Sequence, residues 1–238
     1  MLSQNKKKII CIIPARAGSK GLKNKNILNF NSKPLIATTI EYAKSCKRID
    51  EVIVTTDSKK IANIANKFGA KTPFIRPKNL AEDLSTTEET LQHALLKYEK
   101  IKKIKFDFCI YLSPCDIFRK SYWLEKSIDK MLNNPKLESV FVAYETHKNF
   151  WEFKNGKWVR VKNWMKNYSS RQIRNKIYRE DTGLLSISKS SLWRKGKRIG
   201  NNVDIIINNE ELSSIDIHEK KDLKLANLII KNKINENK

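Results

Sequence analysis

Residues 8–26 read KIICIIPARAGSKGLKNKN, and this stretch decides the fold. Its first part, 8–13, is a β-rich apolar run that predicts a central strand buried on both faces. A glycine- and lysine-rich loop follows directly, so we expect it at the carboxyl end of the sheet, where open α/β folds bind ligands. Gly18 and Gly21 permit tight turns that aim backbone N–H groups at an anion. The stretch therefore predicts an α/β protein with an anion site after its first strand.

The charge of this loop indicates which anion it would bind. Arg16, Lys20 and Lys25 place three cations on one short segment, a number suited to a triphosphate. The spacing is not that of a Walker motif, because GxxxxGK[ST] is absent. A basic glycine loop is a weak signal by itself, and a solvated turn is the alternative interpretation.

The remaining apolar patterns alternate between strand and helix. Helices are predicted at 34–46, 58–68 (capped by Asp57 or Ser58), 86–98, 121–132 and 219–230. Further strands are predicted at 51–55, 106–112, 139–144, 184–187, 204–207 and 213–217, and residues 231–238 are expected to form a frayed polar tail. The repeated strand-then-helix order predicts a mostly parallel sheet with helices on both faces.

Residues 145–180 depart from this alternation. They contain Trp151, Trp158 and Trp164, and the Asn155-Gly156 pair flanked by aromatic residues predicts a β-hairpin. We predict one domain, 1–238, in which 145–180 is an extension that covers the substrate or forms a dimer interface. The alternative is that the tryptophans only pack the hairpin onto the domain.

The composition indicates which classes of partner the protein binds. The chain has 238 residues and a formal net charge of +23, with 38 lysines against 10 arginines. Lysines are spread along the chain and no nucleic-acid motif is present, so an anionic small ligand is favoured over nucleic acid. No apolar run approaches the ~20 residues that span a bilayer. The first apolar run is shorter than a signal peptide's core of ~7–15 residues, so we expect a cytoplasmic protein.

The loop closely resembles the IPARxxSKGxxxKN signature of CMP-sialic acid synthetases, the acylneuraminate cytidylyltransferases. Further segments resemble that family in the same order: KPLI at 33–36, IVTTD at 53–57, FIRPKNLAED at 74–83, Arg171-Gln172, and IDI with a following DL at 215–223. These ordered segments cover nearly the whole chain and are more specific together than any one alone.

The resemblance implies a Rossmann-like nucleotidyltransferase fold with a Trp-rich hairpin extension. It implies an enzyme that joins CTP to a nine-carbon 2-keto sugar acid for surface glycan synthesis, giving a CMP-sugar and pyrophosphate. It also implies Mg²⁺ as cofactor and a homodimer.

The resemblance assigns residues to these roles. Catalytic residues would be Arg16, Lys25 and Asp216. The nucleotide would be bound by Arg16, Ser19, Lys20, Lys25, Asn26, Arg76, Thr87 and Ser113. The sugar would be bound by Arg171, Gln172 and Thr182, and Mg²⁺ by Asp216 and Asp116.

Three departures from the family pattern affect these assignments. Ser113 stands where the family has a glutamine that reads the nucleotide, and His218 replaces the second aspartate of the C-terminal D-I-D pair. Asp116, expected to emerge at the same sheet edge as Asp216, is the predicted replacement ligand, because Mg²⁺ prefers hard oxygen donors. The segment 178–183 differs as well, which suggests an acceptor other than common sialic acid.

We therefore predict a cytidylyltransferase that acts on a sialic-acid-like nonulosonate. One alternative is 3-deoxy-manno-octulosonate cytidylyltransferase, whose loop differs where Lys20-Gly21 stands. The other is a catalytically inactive nucleotide- or RNA-binding homologue, in which Asp116 merely caps a helix.

Overall fold

The computed structural model describes the backbone of residues 6–236 and the side chains of residues 6–232. Within this range the strands are β1 Ile9–Pro14, β2 Asn29–Phe30, β3 Lys33–Pro34, β4 Glu51–Thr55, β5 Phe108–Tyr111, β6 Ser139–Thr146, β7 Trp151–Lys154, β8 Lys157–Arg160, β9 Ile177–Glu180, β10 Ser186–Lys189 and β11 Val203–Asn208. The helices are α1 Leu35–Ser45, α2 Lys59–Lys67, α3 Thr87–Lys102, α4 Tyr122–Asn133, α5 Ser190–Arg194 and α6 Lys220–Glu236. Short 3-10 helices lie at Lys25–Ile27, Lys78–Leu80, Asn163–Lys166 and Glu211–Ser214.

A seven-stranded sheet forms the centre of the molecule, in the order β11-β6-β10-β5-β1-β4, with β9 also paired to β6. Strands β4 and β5 flank β1 in parallel, and β11 is parallel to β6. Strand β10 is antiparallel to both of its neighbours, and β9 is antiparallel to β6. The predicted mostly parallel sheet is confirmed, and the carboxyl ends of β1, β4 and β5 lie together at one edge.

Strand β1 shows why both faces of the sheet are covered. Ile9, Cys11 and Ile13 lie in one buried cluster, which includes apolar residues of α1 and α4. Ile10 and Ile12 lie in a second cluster with residues of α3 and α5. Because side chains alternate across a strand, an unbroken apolar run is needed to fill two cores. The buried strand predicted at 8–13 is therefore confirmed with its bounds shifted by one residue, and Lys8 is exposed outside it.

A smaller apolar cluster fixes the end of the chain. Ile217 and Ala226 are buried with Phe30, Leu35 and Ile117. This cluster packs the segment before α6 against the loop that follows β5. The packing brings two segments that are about one hundred residues apart in sequence to the same edge of the sheet.

Most predicted elements are present, with ends that shift by a few residues. The strand predicted at 213–217 is wrong. Ser213 Oγ bonds the Glu210 carbonyl at 2.6 Å and Ser214 Oγ bonds the Glu211 carbonyl at 2.7 Å, so local bonds favour the 3-10 helix there. The helix at the C-terminus extends to Glu236, so the tail predicted at 231–238 is helical as far as the structure describes it. Residues 237–238 lie outside the described part. Strand β9 and helix α5 were not predicted.

The predicted hairpin is strands β7 and β8, which form a separate two-stranded sheet. Asn155 and Gly156 have φ of 51° and 74°, as a type I′ turn requires. The rings of Phe153 and Trp158 pack against each other. They are still 63% and 66% exposed, so much of their surface lies in solvent. In the described part of the chain, no helix combines the length and hydrophobicity needed to cross a membrane.

Candidate active site

The loop after β1 is held in place from three sides. The backbone N–H of Ala15 bonds the Thr55 carbonyl at 3.0 Å, and that of Ala17 bonds Asp57 Oδ1 at 2.9 Å. The buried Asn26 side chain donates to the Arg16 carbonyl at 2.9 Å. Asp57 thus anchors the loop. Of the two predicted caps of α2, Ser58 is the one found, because its side chain accepts a bond from the backbone N–H of Ile61.

The two loop glycines differ in what the structure requires of them. A Cβ on Gly21 would lie 2.7 Å from the His218 carbonyl oxygen, so only glycine lets the loop approach this segment. Gly18 does not have a positive φ, and a Cβ there would meet none of the described atoms within 4 Å. The left-handed residue of the loop is Asn24, with φ of 56°. Among the described residues no such constraint requires glycine at 18, whereas the need for glycine at 21 comes from a close approach.

A cleft of about 540 Å³ opens above this loop. All eight residues predicted to bind the nucleotide line it: Arg16, Ser19, Lys20, Lys25, Asn26, Arg76, Thr87 and Ser113. The first turn of α3 faces the cleft through Thr86, Thr87 and Thr90. The helix N-terminus adds partial positive charge to this wall.

The three cationic side chains predicted to bind phosphate are held by different partners. Arg16 Nη2 and Lys20 Nζ both contact the Asp83 carboxylate, at 3.2 and 2.9 Å. Lys25 Nζ donates instead to the Ile217 carbonyl at 2.7 Å. All three side chains reach one cleft, so the positive charge that a triphosphate needs is gathered at one place.

Arg76 lines the cleft and is only 4% exposed. Burial lowers the pKa of its guanidinium, and the nearby Asp57 opposes this shift. Its Nε has no hydrogen-bond partner among the described residues. A buried donor without a partner is costly, so this atom is suited to bond a bound ligand.

Asp116 and Asp216 meet next to the cleft. Their backbones form an antiparallel bridge, and Ile217 N bonds the Cys115 carbonyl at 3.1 Å. Burial raises the pKa of Asp116, and the negative charge of Asp216 raises it further. The two residues therefore lie next to each other, as expected, although Asp216 reaches the edge through a bridge and not through a strand.

The two carboxylates fit a hard cation. Asp216 Oδ2 contacts His218 Nε2 at 2.5 Å, but its buried Oδ1 has no partner within the described ranges. No group of three or more His, Cys, Asp or Glu side chains suited to a metal occurs in the described part of the chain. Mg²⁺ commonly uses one or two carboxylates together with substrate phosphates, so the Asp116–Asp216 pair suffices by this criterion.

Thr182, one of the three predicted sugar residues, lies close to this acidic pair. Its hydroxyl contacts Arg198 Nη1, and its neighbour Gly183 touches Asp116 so closely that a Cβ would overlap the carboxylate. Arg171 and Gln172 line a different cavity of about 1040 Å³ at the base of the extension. Within one chain the structure does not bring these three residues together.

Tyr111 and Asp83 are two of the cleft-lining residues that were not predicted. Tyr111 is the last residue of β5, and burial raises its pKa to about 12. Its place at a strand end could have identified it, because side chains there face the ligand edge. Asp83 lies inside the quoted segment 74–83, but only the folded chain shows that it contacts the loop.

Comparisons with known proteins identify the family. The model described as Cytidylyltransferase matches residues 10–228. Post-translational flagellin modification protein B of Campylobacter coli is 31% identical over 228 residues, which cover 94% of this chain and 96% of that protein. CMP-N,N'-diacetyllegionaminic acid synthase of Campylobacter jejuni is 30% identical over 225 residues, which cover 93% and 94%.

A solved structure agrees with the predicted fold. The structure titled CMP:2-keto-3-deoxy-manno-octonic acid synthetase complexed with CTP has a TM-score of 0.70, covering 95% of this chain and 100% of its own at 14% identity. Because the identity is low, this likeness shows the fold alone, which confirms the predicted Rossmann-like nucleotidyltransferase architecture. With the family model matched over most of the chain, this protein belongs to the cytidylyltransferase family of enzymes, among its CMP-sialic-acid-synthetase-like members.

Proposed function

We propose that this enzyme transfers the cytidylyl group of CTP to a sialic-acid-like nonulosonate, a nine-carbon 2-keto sugar acid. The observation that carries the proposal is the cleft, where all eight predicted nucleotide residues meet beside the Asp116–Asp216 pair. Full-length similarity to a protein named as a CMP-diacetyllegionaminic acid synthase supports an acceptor of this class.

In the proposed reaction the anomeric hydroxyl oxygen of the sugar attacks the α-phosphorus of CTP. The bond from that phosphorus to the bridging oxygen breaks, pyrophosphate leaves, and the proton of the hydroxyl passes to solvent water. Arg16, Lys20 and Lys25 would hold the β- and γ-phosphates and stabilise the charge that develops on the leaving group. Lys25 is oriented for this by its bond to the Ile217 carbonyl.

The acidic pair completes the site. Asp116 and Asp216 would bind Mg²⁺, which supplies charge neutralisation at the phosphates when bound. His218 holds Asp216 through Nε2, which leaves the unpartnered Oδ1 as the predicted metal-facing atom. This pairing favours an active enzyme over an inactive homologue.

The nucleoside would occupy another part of the same cleft. We propose that Arg76, Asn26, Thr87 and Ser113 contact the cytidine. A site that pairs with a base edge rejects analogues that leave its polar groups unpartnered, so CTP should be preferred over ATP and GTP.

The test is a pyrophosphate-release assay with CTP and a panel of 2-keto sugar acids. The panel contains N-acetylneuraminate, diacetamido nonulosonates and 3-deoxy-manno-octulosonate, so that the octulosonate alternative is tested directly. Lys25→Met should lower turnover roughly 10²–10³-fold, as loss of one transition-state contact does. Lys23→Met is the matched control, because Lys23 lies on the same loop but outside the cleft lining.

Three results would contradict the proposal. Equal turnover in the two lysine variants would remove the phosphate role of Lys25. Release of pyrophosphate with the octulosonate alone would favour the alternative substrate. Binding of RNA that weakens steeply with salt, without base-selective binding of CTP, would favour a nucleic-acid-binding homologue.

We also propose that the enzyme works in the cytoplasm as a homodimer joined through the extension. The exposed aromatic rings of Phe153 and Trp158 on β7 and β8 support this role, since large exposed apolar patches mark interaction sites. Light scattering of the full chain should give twice the monomer mass, and Trp158→Ser should shift the mass toward the monomer. A monomeric wild-type protein would instead leave substrate coverage as the role of the extension.

A further inference from the structure

Asp83 joins two of the three cations at the mouth of the cleft. Its Oδ1 lies 3.2 Å from Arg16 Nη2 and its Oδ2 lies 2.9 Å from Lys20 Nζ. Arg16 also donates through Nη1 to the Glu82 carbonyl at 3.0 Å. One carboxylate therefore bridges the two side chains as a phosphate group would, with one oxygen on each.

The carboxylate is ionised and accessible at this place. The Lys20 ammonium bonded to it, with Arg16 beside it, holds the pKa of the Asp83 carboxyl below its usual range. The side chain is 47% exposed and belongs to the segment between the 3-10 helix Lys78–Leu80 and α3. It is thus a counter-charge at the surface of the cleft and not part of the buried core.

Asp83 and a triphosphate cannot use the same N–H groups at the same time. Arg16, Lys20 and Asp83 line one cleft, and the two cations are those proposed to hold the phosphates. Lys25 differs from them, because its ammonium is bonded to the Ile217 carbonyl. A triphosphate that bonds the N–H groups now held by Asp83 would displace this carboxylate, whereas Lys25 would keep its bond to the Ile217 carbonyl.

We propose that Asp83 is a positioning residue that exchanges with phosphate during the reaction cycle, an inference that rests on the proposed function. In the empty site it holds Arg16 and Lys20 in place. It gives them up to the triphosphate of CTP, and it returns to them when pyrophosphate leaves. The exchange weakens binding of both substrate and product and speeds product release.

The test is the binding of magnesium pyrophosphate to the full chain by calorimetry. Asp83→Asn should bind it roughly three- to tenfold more tightly, because two exposed ion pairs no longer compete. The KM for CTP should fall in the same variant, and kcat should fall with it as product release slows. Asp83→Glu, which keeps the charge, should remain closer to wild type.

Glu41→Gln is the matched control. Glu41 pairs with Lys33 at 2.7 Å with an exposure of 45%, similar to Asp83, but it lies on α1 away from the cleft. This variant should bind pyrophosphate like the wild type. An equal gain in both variants would mean a general charge effect and would overturn the specific role of Asp83.

The outcome also separates this inference from the proposed function. Weaker or unchanged pyrophosphate binding by Asp83→Asn would overturn the exchange, even if CTP is turned over normally. Tighter binding without turnover on any sugar acid would support the exchange while contradicting the proposed reaction. Absence of pyrophosphate binding in both proteins would contradict both ideas.

Discussion

Gly21→Ala should disturb both the packing of the phosphate loop and the position of Lys25. A Cβ at this position would lie 2.7 Å from the His218 carbonyl oxygen, whereas ordinary contact begins at 3.4 Å. The two backbones must therefore move apart by about 0.7 Å, since 3.4 minus 2.7 is 0.7. No side-chain rotation can relieve this contact, because the Cβ is attached directly to the backbone and the oxygen belongs to a backbone carbonyl.

The displacement acts on the residue proposed to hold the leaving group. Lys25 Nζ bonds the carbonyl of Ile217, the neighbour of His218, at 2.7 Å. If the whole shift fell on this bond, it would lengthen to about 3.4 Å, beyond the ~2.7–3.2 Å of an N–H···O hydrogen bond. A misplacement near 1 Å can lower turnover by roughly 10²-fold. The overpacking should cost about 1–3 kcal/mol of unfolding free energy.

Gly18→Ala is the internal control for this effect. It lies three residues away on the same loop, without a positive φ and with none of the described atoms within 4 Å of a Cβ. We expect its unfolding free energy to change by less than about 0.5 kcal/mol, as for an unconstrained surface position. Thermal unfolding and pyrophosphate release with CTP would be measured for both variants. Equal turnover in the two would refute the inference that the close approach at Gly21 positions Lys25.

Two further predictions concern the metal and the stability of the fold. Asp216→Asn should abolish Mg²⁺-dependent turnover. Asp116→Asn should raise the Mg²⁺ concentration for half-maximal turnover at least roughly tenfold, since the loss of even an indirect partner of a metal has an effect of this size. An unchanged Mg²⁺ titration in Asp116→Asn would show that Asp116 does not belong to the metal site. Glu99→Gln should lower the unfolding free energy by about 1–3 kcal/mol at pH 7, because Glu99 is 3% exposed and accepts bonds from Arg194 at 2.6 Å and from the backbone N–H of Phe106 at 3.0 Å. Burial alone would raise the pKa of Glu99, but these bonds bring it below the ordinary value of 4.5. The stabilisation by ionised Glu99 is therefore complete above pH 4.5, and it is lost as the pH falls through the pKa that Glu99 has in the folded protein. Urea unfolding at pH 7 and pH 3 should therefore show a difference between variant and wild type that shrinks in acid, and a constant difference would contradict this assignment.

The sequence by itself determined the fold class, the central strand and the phosphate loop. Residues 8–26 contain both the apolar run of β1 and the three cations that follow it, so the prediction needed only neighbouring residues. The Asn155-Gly156 turn was predictable for the same reason, because its φ preferences are local. The resemblance added Arg76 and Thr87, which the structure places in the same cleft as the loop.

Only the tertiary structure decided how distant segments meet. Asp116 and Asp216 are one hundred residues apart, and their bridge depends on the apolar cluster that includes Ile117 and Ile217. The contact of Asp83 with the phosphate cations and the close approach at Gly21 likewise join segments that sequence periodicity treats separately. Periodicity reports which face of an element is buried, but it does not report which other segment covers that face. That choice is made when the chain packs, because burial of apolar surface is non-directional and the pairing follows from the shapes that fit together.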